Sequence, residues 1–406
     1  MANGNNKSLL VFSAALTVLV ASGCGNQSYN VTGVGSGVFG AQAAPGEAIV
    51  KFKNAAARQS LLQKMGLRTI SKVGALDAVV VKCSDVKATV KDLQADPNVL
   101  YAEPNYIAKA IAAGQSPMLS LGLRAQSDEL LGELWGMAKI KAPEAWAIAD
   151  GARVKVAVVD TGIDYNHADF GGRVLKGYDF INNDADAMDD QSHGTHCAGT
   201  VGAGLGNGGV VGVAPNVELL AVKVLAANGS GSYSGVAAGI TYAADQGSPI
   251  ISMSLGGPAG SKVIEDAVKY AIGKGSLVVA AMGNDNSERP SYPAAAPGVM
   301  AVGATTIRDE RSSFSNFGKH ISVSAPGTNI MSTMPNGKFR ALSGTSMATP
   351  HVAGLAAMVK SKFPEMNADE IRKQIEATAD DLGTAGFDKN FGAGRINALA
   401  AVQSKR

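Results

Sequence analysis

The sequence predicts an α/β protein, in which a doubly wound, mostly parallel sheet flanked by helices is preceded by a small α/β domain. The first reason is that strands alternate with segments of helical spacing from about Trp135 to the end of the 406-residue chain. The second is that most of these strands are continuous apolar runs, which indicate burial on both faces of a parallel sheet. Ligands of such sheets bind beyond the carboxyl ends of the strands, so we expect the functional site at that edge.

The main domain is predicted over residues 131–406, where apolar runs alternate with segments of helical periodicity. The predicted strands are 154–160, 217–225, 250–255, 277–282, 299–304 and 321–325. The predicted helices are 192–204, 233–246, 261–273, 346–363, 368–379 and 396–403.

The small domain is predicted over residues 45–107, where two segments of helical spacing separate short apolar strands. The strands cover 48–52, 78–81 and 99–101, and the helices cover 55–65 and 86–94. Residues 24–44 are rich in Gly, Ser and Asn and are expected to form a flexible tether. Residues 108–130 lose the apolar periodicity and are expected to form a linker.

Composition and charge limit the possible partners. Lys and Arg number 36 against 34 Asp and Glu, which gives a formal net charge of +2. Because the sequence also has no basic block interleaved with aromatic residues, we expect no nucleic-acid partner. The three cysteines, Cys24, Cys83 and Cys197, are too few and too scattered for a disulfide framework.

The N-terminus is typical of an export signal. In residues 1–23, a polar start containing Lys7 precedes an apolar run that ends in Ala-Ser-Gly before Cys24. Small residues before a cysteine resemble the cleavage site of bacterial lipoproteins, after which Cys24 would carry a lipid. The alternative is an ordinary secretory signal beside a chance cysteine. Either way we expect export. Because the run is short for a membrane span, a lipid on Cys24 would be the only membrane attachment.

Three polar side chains occur in an order that suits acyl transfer. Asp160 ends a predicted strand, His193 begins a predicted helix, and Ser346 lies where an apolar run turns into a helix. A serine hydroxyl is a poor nucleophile until an imidazole takes its proton, and that imidazole needs a carboxylate to hold its tautomer. Each residue also has an ordinary structural role as a turn cap, a helix-start histidine or a helix N-cap. Their joint occurrence favours a catalytic triad.

A fourth polar residue, Asn284, follows the predicted strand 277–282. Its side-chain amide suits hydrogen bonding to a developing oxyanion, and the alternative is an ordinary turn asparagine. The pair His193 and His196 also raises the question of a metal site. We regard that interpretation as the weaker one, because neither a third ligand nor a cysteine cluster accompanies the pair.

The local sequences around these residues are similar to the three active-site signatures of the subtilisin-like serine proteases, the subtilase family. They read Asp-Thr-Gly-Ile-Asp from Asp160, His-Gly-Thr-His from His193, and Gly-Thr-Ser-Met-Ala-Thr-Pro-His around Ser346. The similarity covers about 135–402 and implies a subtilisin-like fold. The run 192–199 particularly resembles the proteinase K branch, in which a free cysteine lies under the catalytic histidine.

The resemblance implies a role for each residue. Ser346 attacks the peptide carbonyl, His193 acts first as general base and then as general acid, and Asp160 orients His193. Asn284 and the backbone N–H of Ser346 form the oxyanion hole. No cofactor is required for this chemistry.

The resemblance also implies that an extended peptide is held between two backbone edges, so protein and peptide substrates are the expected partners. The first edge is Ser254, Leu255 and Gly256, and the second is Gly229, Ser230 and Gly231. We expect a monomer. Side-chain preference stays open: Asp285 near the rim of the pocket would favour basic residues, whereas similar family members mostly prefer apolar or aromatic ones.

The small domain at 45–107 is similar to the family's propeptide, notably in the run Tyr-Ala-Glu-Pro-Asn-Tyr that ends at Tyr106. The resemblance implies a ferredoxin-like α+β domain that assists folding and inhibits the enzyme until it is cleaved off. Self-cleavage is expected between about Tyr106 and Glu129. If Cys24 carries a lipid, this cut would free the catalytic domain from the membrane.

A structural calcium ion is the one metal that the resemblance suggests, with Asp169 and Asn207 as ligands. The loop after Asn207 is shorter than the usual pattern, and calcium needs about six or more oxygen ligands, so its presence stays open. A second acidic patch is expected to be a solvated loop rather than a cation site. It contains Asp184, Asp186, Asp189 and Asp190.

Three other classes of protein fit the sequence less well. An α/β-hydrolase esterase needs Gly-x-Ser-x-Gly and the order Ser, acid, His, whereas Ala348 stands here in place of the second glycine. A nucleotide-binding oxidoreductase needs a glycine fingerprint after its first strand, where this chain has Asp160 and Thr161. A non-catalytic binding protein on the same fold should lack a member of the triad, and all three are present.

Overall fold

The structure is a computed structural model that describes residues 41–112, 114–116, 118–120 and 128–406. The predicted signal at 1–23 and most of the predicted tether lie outside the described residues. Within the described ranges, no helix combines the length and the apolar character that crossing a membrane requires.

The small N-terminal domain has the element order βαββαβ and its own apolar core. Its elements are β1 (Ala43–Phe52), α1 (Ala55–Lys64), β2 (Arg68–Lys72), β3 (Ala78–Lys82), α2 (Val86–Ala95) and β4 (Val99–Ala110). The strands pair antiparallel in the order β4-β1-β3-β2, with Asn54 and Asp85 capping the two helices through their side chains. The predicted ferredoxin-like α+β fold is confirmed.

Both predicted boundaries of this domain differ from the structure. Strand β1 already begins at Ala43, which lies opposite Tyr106, so the predicted tether 24–44 extends too far. Strand β4 continues to Ala110, inside the predicted linker 108–130. Composition missed both because these residues are ordered by backbone hydrogen bonds to other strands, which no side-chain pattern records.

The remaining elements follow in chain order. They are β5 (Gly114–Gln115), β6 (Leu119–Ser120), α3 (Trp135–Lys139), α4 (Ala142–Ala145), β7 (Lys155–Asp160), β8 (Val174–Asp179), α5 (His193–Gly202), β9 (Glu218–Lys223), β10 (Ser230–Ser232), α6 (Tyr233–Asp245), β11 (Ile250–Met253), β12 (Leu255–Gly256), α7 (Lys262–Gly273), β13 (Leu277–Ala281), β14 (Met300–Thr305), β15 (Val323–Pro326), β16 (Ile330–Met334), β17 (Lys338–Ser343), α8 (Thr345–Lys362), α9 (Ala368–Ala377) and α10 (Ala398–Gln403).

The main sheet has the strand order β15-β14-β13-β11-β7-β9-β8, and every neighbouring pair is parallel. Its two faces are covered by separate apolar layers. Val156 and Val158 of β7 pack with α5 and α8, whereas Ala157 and Val159 of the same strand pack with α6 and α7. This three-layer arrangement confirms the doubly wound parallel sheet, and it explains why the strands read as continuous apolar runs.

Strand β8 was missed by the sequence analysis because it is a half-exposed edge strand. Its sequence, Val-Leu-Lys-Gly-Tyr-Asp, lacks a continuous apolar run, and its pairing with β9 shifts register between Leu175 and Tyr178. Gly177 has φ +62° at this shift and lies against the backbone carbonyl of Ala221, which leaves no room for a side chain. The short strands β10, β12, β16 and β17 were missed or only partly covered for similar reasons.

Two buried helices carry the residues of interest. All ten residues of α5 are buried, and small residues such as Gly199 let it press against β16. Helix α8 is buried over its first fifteen residues, and Pro350 is its sixth residue. Proline has no N–H to bond the carbonyl of Ser346 four residues earlier, and that carbonyl instead accepts a hydrogen bond from Ser254 Oγ at 2.8 Å. Both helices begin near the carboxyl end of β7.

Candidate active site

Asp160 and His193 form a buried pair at the centre of the sheet edge. Asp160 is the last residue of β7 and His193 the first residue of α5, and their side chains are 0% and 3% exposed. Asp160 Oδ1 accepts a hydrogen bond from Thr161 N at 2.7 Å and lies 2.8 Å from His193 Nδ1. This contact holds Nδ1 as the protonated nitrogen and leaves Nε2 as the base.

The charge of Asp160 controls the acidity of His193. Burial opposes the imidazolium form and lowers the pKa of His193, but the carboxylate of Asp160 next to it raises that pKa. The carboxylate, together with the neighbouring Cys197, outweighs burial, so the pKa of His193 is raised well above its usual value. Such a residue takes up a proton readily in a dry site, as a general base must.

The start of α5 is fixed by Asp189, which the sequence analysis assigned to a solvated loop. Asp189 is instead 6% exposed and accepts five hydrogen bonds. The donors are Thr161 Oγ1, Gln191 N, Ser192 N, Thr195 N and Thr195 Oγ1, at 2.6 to 2.9 Å. The carboxylate thereby joins the turn after Asp160 to the turn before His193 and sets the geometry of the pair.

Ser346 lies at the start of α8 and is completely buried. Its Oγ donates a hydrogen bond to the backbone carbonyl of Ser254 at 2.8 Å, and within the described residues His193 Nε2 has no hydrogen-bond partner. The two residues are nevertheless close, because Cys197 Sγ lies 3.9 Å from His193 Nδ1 and 3.5 Å from the carbonyl of Ser346. The expected relay is therefore formed between Asp160 and His193, and the hydroxyl of Ser346 must turn to complete it.

Asn284 stands just beyond β13 and holds a carbonyl of the chain itself. Its Oδ1 accepts hydrogen bonds from Thr345 N at 2.9 Å and Thr345 Oγ1 at 3.0 Å, which fixes the amide plane. Its Nδ2 donates to the backbone carbonyl of Ile111 at 3.1 Å. An amide donor held this way beside a helix start suits an oxyanion site.

The end of β4 runs between the two edges that the resemblance implies. On one side, Lys109, Ala108 and Ile107 pair antiparallel with Ser230, Gly231 and Ser232. On the other side, Ala110 and Lys109 pair antiparallel with Leu255 and Gly256. Two further backbone bonds extend the ladder, from Ala110 N to Gly229 O at 2.9 Å and from Ile111 N to Ser254 O at 3.3 Å. The chain therefore lies in its own cleft in the manner of an extended peptide.

The Ile111–Ala112 peptide bond lies at the start of α8. A Cβ atom added to Gly344 would stand 2.7 Å from Ile111 O and 3.3 Å from Ala112 Cα, so only glycine fits there. Beyond the bond, Gly114 and Gln115 pair antiparallel with Ser343 and Leu342 of β17. Backbone pairing thus continues on both sides of this one peptide bond.

The contacts of the nearby histidine and cysteine side chains bear on whether the site could bind a metal ion. His196 turns its Nε2 to two backbone carbonyls, of Ile330 and Arg340, and burial lowers its pKa to about 3. In the described ranges, the only set of three potential ligands within 4.8 Å of one another is Asp160, His193 and Cys197. An ion bound there would occupy the imidazole that the site needs as a base.

The two predicted calcium ligands meet, but the surrounding loop presents N–H groups. Asp169 is 2% exposed, and its carboxylate accepts a hydrogen bond from Val210 N at 2.8 Å. Asn207 turns its amide nitrogen, not its oxygen, to the carbonyl of Asp169 at 2.9 Å. Asp128 accepts hydrogen bonds from two glycine N–H groups of the same loop at 2.9 to 3.2 Å. In this arrangement the loop turns N–H donors, rather than the oxygen ligands that calcium needs, toward the two acidic side chains, so these residues do not fit a calcium site as they stand.

The Asp160–His193 pair with Ser346 close by, at the edge of a parallel sheet whose cleft holds the last strand of an N-terminal domain, indicates the class of protein: a serine protease that is made with a prodomain. The particular family follows from comparison with known proteins. A model of the subtilase family matches residues 151–394, and a model of the fervidolysin N-terminal prodomain matches residues 31–105. The chain belongs to the subtilase family of serine proteases.

Individual relatives agree with this assignment. Thermitase of Thermoactinomyces vulgaris is 48% identical over 270 residues, which are 66% of this chain and 95% of thermitase. A thermophilic serine proteinase of Bacillus sp. (strain AK1) is 42% identical over 364 residues, or 88% of this chain and 87% of that protein. The structure is similar to crystalline fervidolysin of Fervidobacterium pennivorans, a keratinolytic enzyme related to subtilisin, with a TM-score of 0.80 at 30% identity. That match covers 91% of this chain, which spans 62% of the fervidolysin chain.

Proposed function

We propose that this protein is a serine endopeptidase that uses Asp160, His193 and Ser346 and is made as a self-processing precursor. The observation that carries the proposal is the carbonyl of Ile111, which accepts a hydrogen bond from Asn284 while the residues before it pair with both edges of the cleft. The first substrate of the enzyme is then its own Ile111–Ala112 bond. This site lies inside the interval that the sequence predicts.

The reaction begins when the Ser346 hydroxyl turns from the Ser254 carbonyl to His193 Nε2. His193 takes the proton as Oγ attacks the carbonyl carbon of Ile111, and the new negative charge falls on the Ile111 oxygen. Asn284 Nδ2 and the Ser346 N–H stabilise this oxyanion, while Asp160 stabilises the imidazolium.

The second half of the reaction releases the two products. His193 returns its proton to the nitrogen of Ala112, the C–N bond breaks, and Ile111 remains as an ester on Ser346. A water molecule, deprotonated by His193, then hydrolyses the ester and restores the free hydroxyl.

The N-terminal domain is proposed to remain as an inhibitor after the cut, because it has contacts well away from the bond. Glu103 accepts hydrogen bonds from Ser261 Oγ, Lys262 N and Val263 N at the start of α7, at 2.7 to 3.0 Å. Asn105 accepts one from Ser234 N at the start of α6, at 3.1 Å. These side chains complete two helix N-termini of the catalytic domain.

An apolar residue is the proposed preference immediately before the cut. The Cδ1 atom of Ile111 lies 3.1 Å from the position that a Cβ of Gly256 would occupy, so the aliphatic side chain contacts the floor of its pocket. We therefore favour the apolar preference over the basic one that Asp285 suggests, and a peptide-library profile dominated by Lys or Arg would reverse this choice.

No metal is proposed to take part in the chemistry, because the nucleophile, the base and the oxyanion donors are all side-chain or backbone groups. The loop at Asp169 is also proposed to hold its shape through its own hydrogen bonds rather than through calcium. Dialysis against EDTA is then expected to leave the melting temperature within about 1 °C, less than the roughly 2 °C by which a loss of 1 kcal/mol would lower it in a domain of this size. A clear drop that calcium restores would overturn this part of the proposal.

Export and lipidation rest on the sequence pattern of the N-terminus. We propose that residues 1–23 direct export and that Cys24 carries a lipid, so that the prodomain is anchored and the cut at Ile111 frees the catalytic domain. Cell fractionation tests this order of events. Mature activity that stays in washed membranes would contradict it.

The function itself is tested by covalent labelling. A fluorophosphonate should modify Ser346 of the processed protein and abolish peptide hydrolysis, and Ser346→Ala should show neither labelling nor hydrolysis. A processed, folded protein that takes no label on Ser346 would favour a binding protein on the same fold.

A further inference from the structure

The side of the cleft beyond the scissile bond contains a cavity of about 530 Å³. One wall is the turn from Asp189 to Ser192, just before His193, and the other is β17 with Lys338 and Arg340. The chain's own Gln115 extends into this space. Gly256 and Asn284, which contact Ile111, do not line this cavity, so the proposed cleavage step does not use it.

Gln115 is held there by one side-chain contact and by backbone pairing. Its Oε1 accepts a hydrogen bond from Arg340 Nη1 at 2.7 Å. Gln115 lies opposite Leu342 in the antiparallel ladder, so Arg340 is its diagonal neighbour, two residues along β17. The next residue continues the pairing, with Ser116 N donating to Ala341 O at 3.0 Å. Gln115 therefore occupies a defined position, the fourth residue after the Ile111–Ala112 bond.

The charged residues around the cavity favour a side chain that accepts hydrogen bonds. Its two acidic residues are already occupied, because Asp189 accepts its five hydrogen bonds and Asp190 pairs with Lys223 at 2.5 Å. Its two cations, Lys338 and Arg340, form no ion pair among the described residues. Arg340 Nε is in addition buried, and it has no hydrogen-bond partner in the part of the chain that the structure describes.

We propose that Arg340, supported by Lys338, forms a substrate subsite that selects a carboxylate or carboxamide side chain four residues after the cleaved bond. The inference rests on the proposed function, since it counts residues from Ile111. A guanidinium binds carboxylates better than carboxamides, because the hydrogen bond is then charge-assisted on both sides. The neutral Gln115 of the precursor is thus a weak occupant, which an acidic substrate displaces after processing.

The subsite is tested on the processed enzyme with internally quenched peptides that differ only in the fourth residue after the cut. Glu at this position is expected to give a kcat/KM about tenfold above that of Lys, the ratio that corresponds to 1.4 kcal/mol. Arg340→Gln should bring the ratio close to one, and Arg340→Glu should reverse it. Lys373→Glu, on the exposed face of α9, changes the net charge by the same amount as Arg340→Glu and serves as the control, which should keep the wild-type ratio.

The choice of substrate distinguishes failure of the proposed function from failure of the subsite. A short substrate with its chromophore directly after the cleaved bond reports catalysis alone, and failure of the wild-type enzyme to hydrolyse it would count against the proposed function. Normal hydrolysis of the short substrate, together with equal kcat/KM for Glu and Lys, would overturn only the subsite. A Glu-to-Lys ratio that persists in Arg340→Glu would overturn it as well. Mass spectrometry of the products confirms that every peptide is cut at the intended bond.

Discussion

Replacing Glu103 by Gln should convert a tightly held prodomain into a weakly held one. Glu103 is 9% exposed, and its carboxylate accepts three hydrogen bonds at the N-terminus of α7, from Ser261 Oγ, Lys262 N and Val263 N. All three partners are donors. The glutamine amide keeps one acceptor oxygen but turns an NH₂ group toward donors and removes the negative charge from the helix N-terminus.

The size of the effect follows from these contacts. Hydrogen bonds to a charged group contribute about 1.5–3 kcal/mol each, and a charge at a partly buried helix end contributes up to about 2 kcal/mol. Burial opposes the charge by more than these hydrogen bonds favour it, so the pKa of Glu103 is raised, and the loss on Glu103→Gln comes mainly from the NH₂ group that would face an N–H donor. With one acceptor retained, a net loss of about 2–3 kcal/mol is expected, which weakens prodomain binding roughly 30- to 150-fold.

The assay uses the full-length precursor after processing. Dilution series of the processed complex give the dissociation constant from the onset of peptide hydrolysis, and Glu103→Gln should shift this onset to higher protein concentration by the factor above. Asp92→Asn makes the same chemical change at an exposed position of α2 and serves as the control. A dissociation constant for Glu103→Gln within threefold of the control would refute the reasoning.

Three further predictions concern two residues of the proposed mechanism and the cysteine beside His193. Because Asp160 raises the pKa of His193 and only neutral His193 can act as base, kcat/KM should rise with pH through that raised pKa. Asp160→Asn should move this rise to lower pH and reduce kcat about 10⁴-fold, and a pH profile that does not move would contradict the pairing. Asn284→Ala should lower kcat by about 100- to 1000-fold with little change in KM, a magnitude established on a subtilisin, and a loss confined to KM would speak against an oxyanion role. Mercuric ion should inhibit the wild-type enzyme through Cys197, whose sulfur lies 3.9 Å from His193 Nδ1, and Cys197→Ala should be resistant; equal inhibition of both would exclude this contact.

Most of the parallel sheet was predictable because burial on both faces leaves a mark in the sequence. Strand β7 is a continuous apolar run that ends in Asp160, and the neighbouring central strands have the same character. The half-exposed strand β8 has no such run, so it was missed. The sequence therefore predicts strands whose position depends on burial of their side chains. It misses strands that are held in the sheet by backbone hydrogen bonds alone.

The same distinction applies to the site. Asp160, His193 and Ser346 lie in distinctive local sequences, so they could be found one by one. The position of Ile111 depends on hydrogen bonds between backbone groups, which any residue can make. In sequence, Asp189 looks like the neighbouring aspartates that face solvent. Only the folded structure shows that its carboxylate accepts hydrogen bonds from Ser192 N and Thr195 N.

The most direct test of the account is the first cut that the precursor makes. N-terminal sequencing and intact mass of the earliest product, taken early in the expression time course, should show a chain that begins at Ala112. The Ser346→Ala precursor should remain uncut under the same conditions. A Ser346→Ala precursor that is still processed, or a wild-type chain whose first product begins elsewhere, would contradict the claim that Ser346 acts on the bond held in its own cleft.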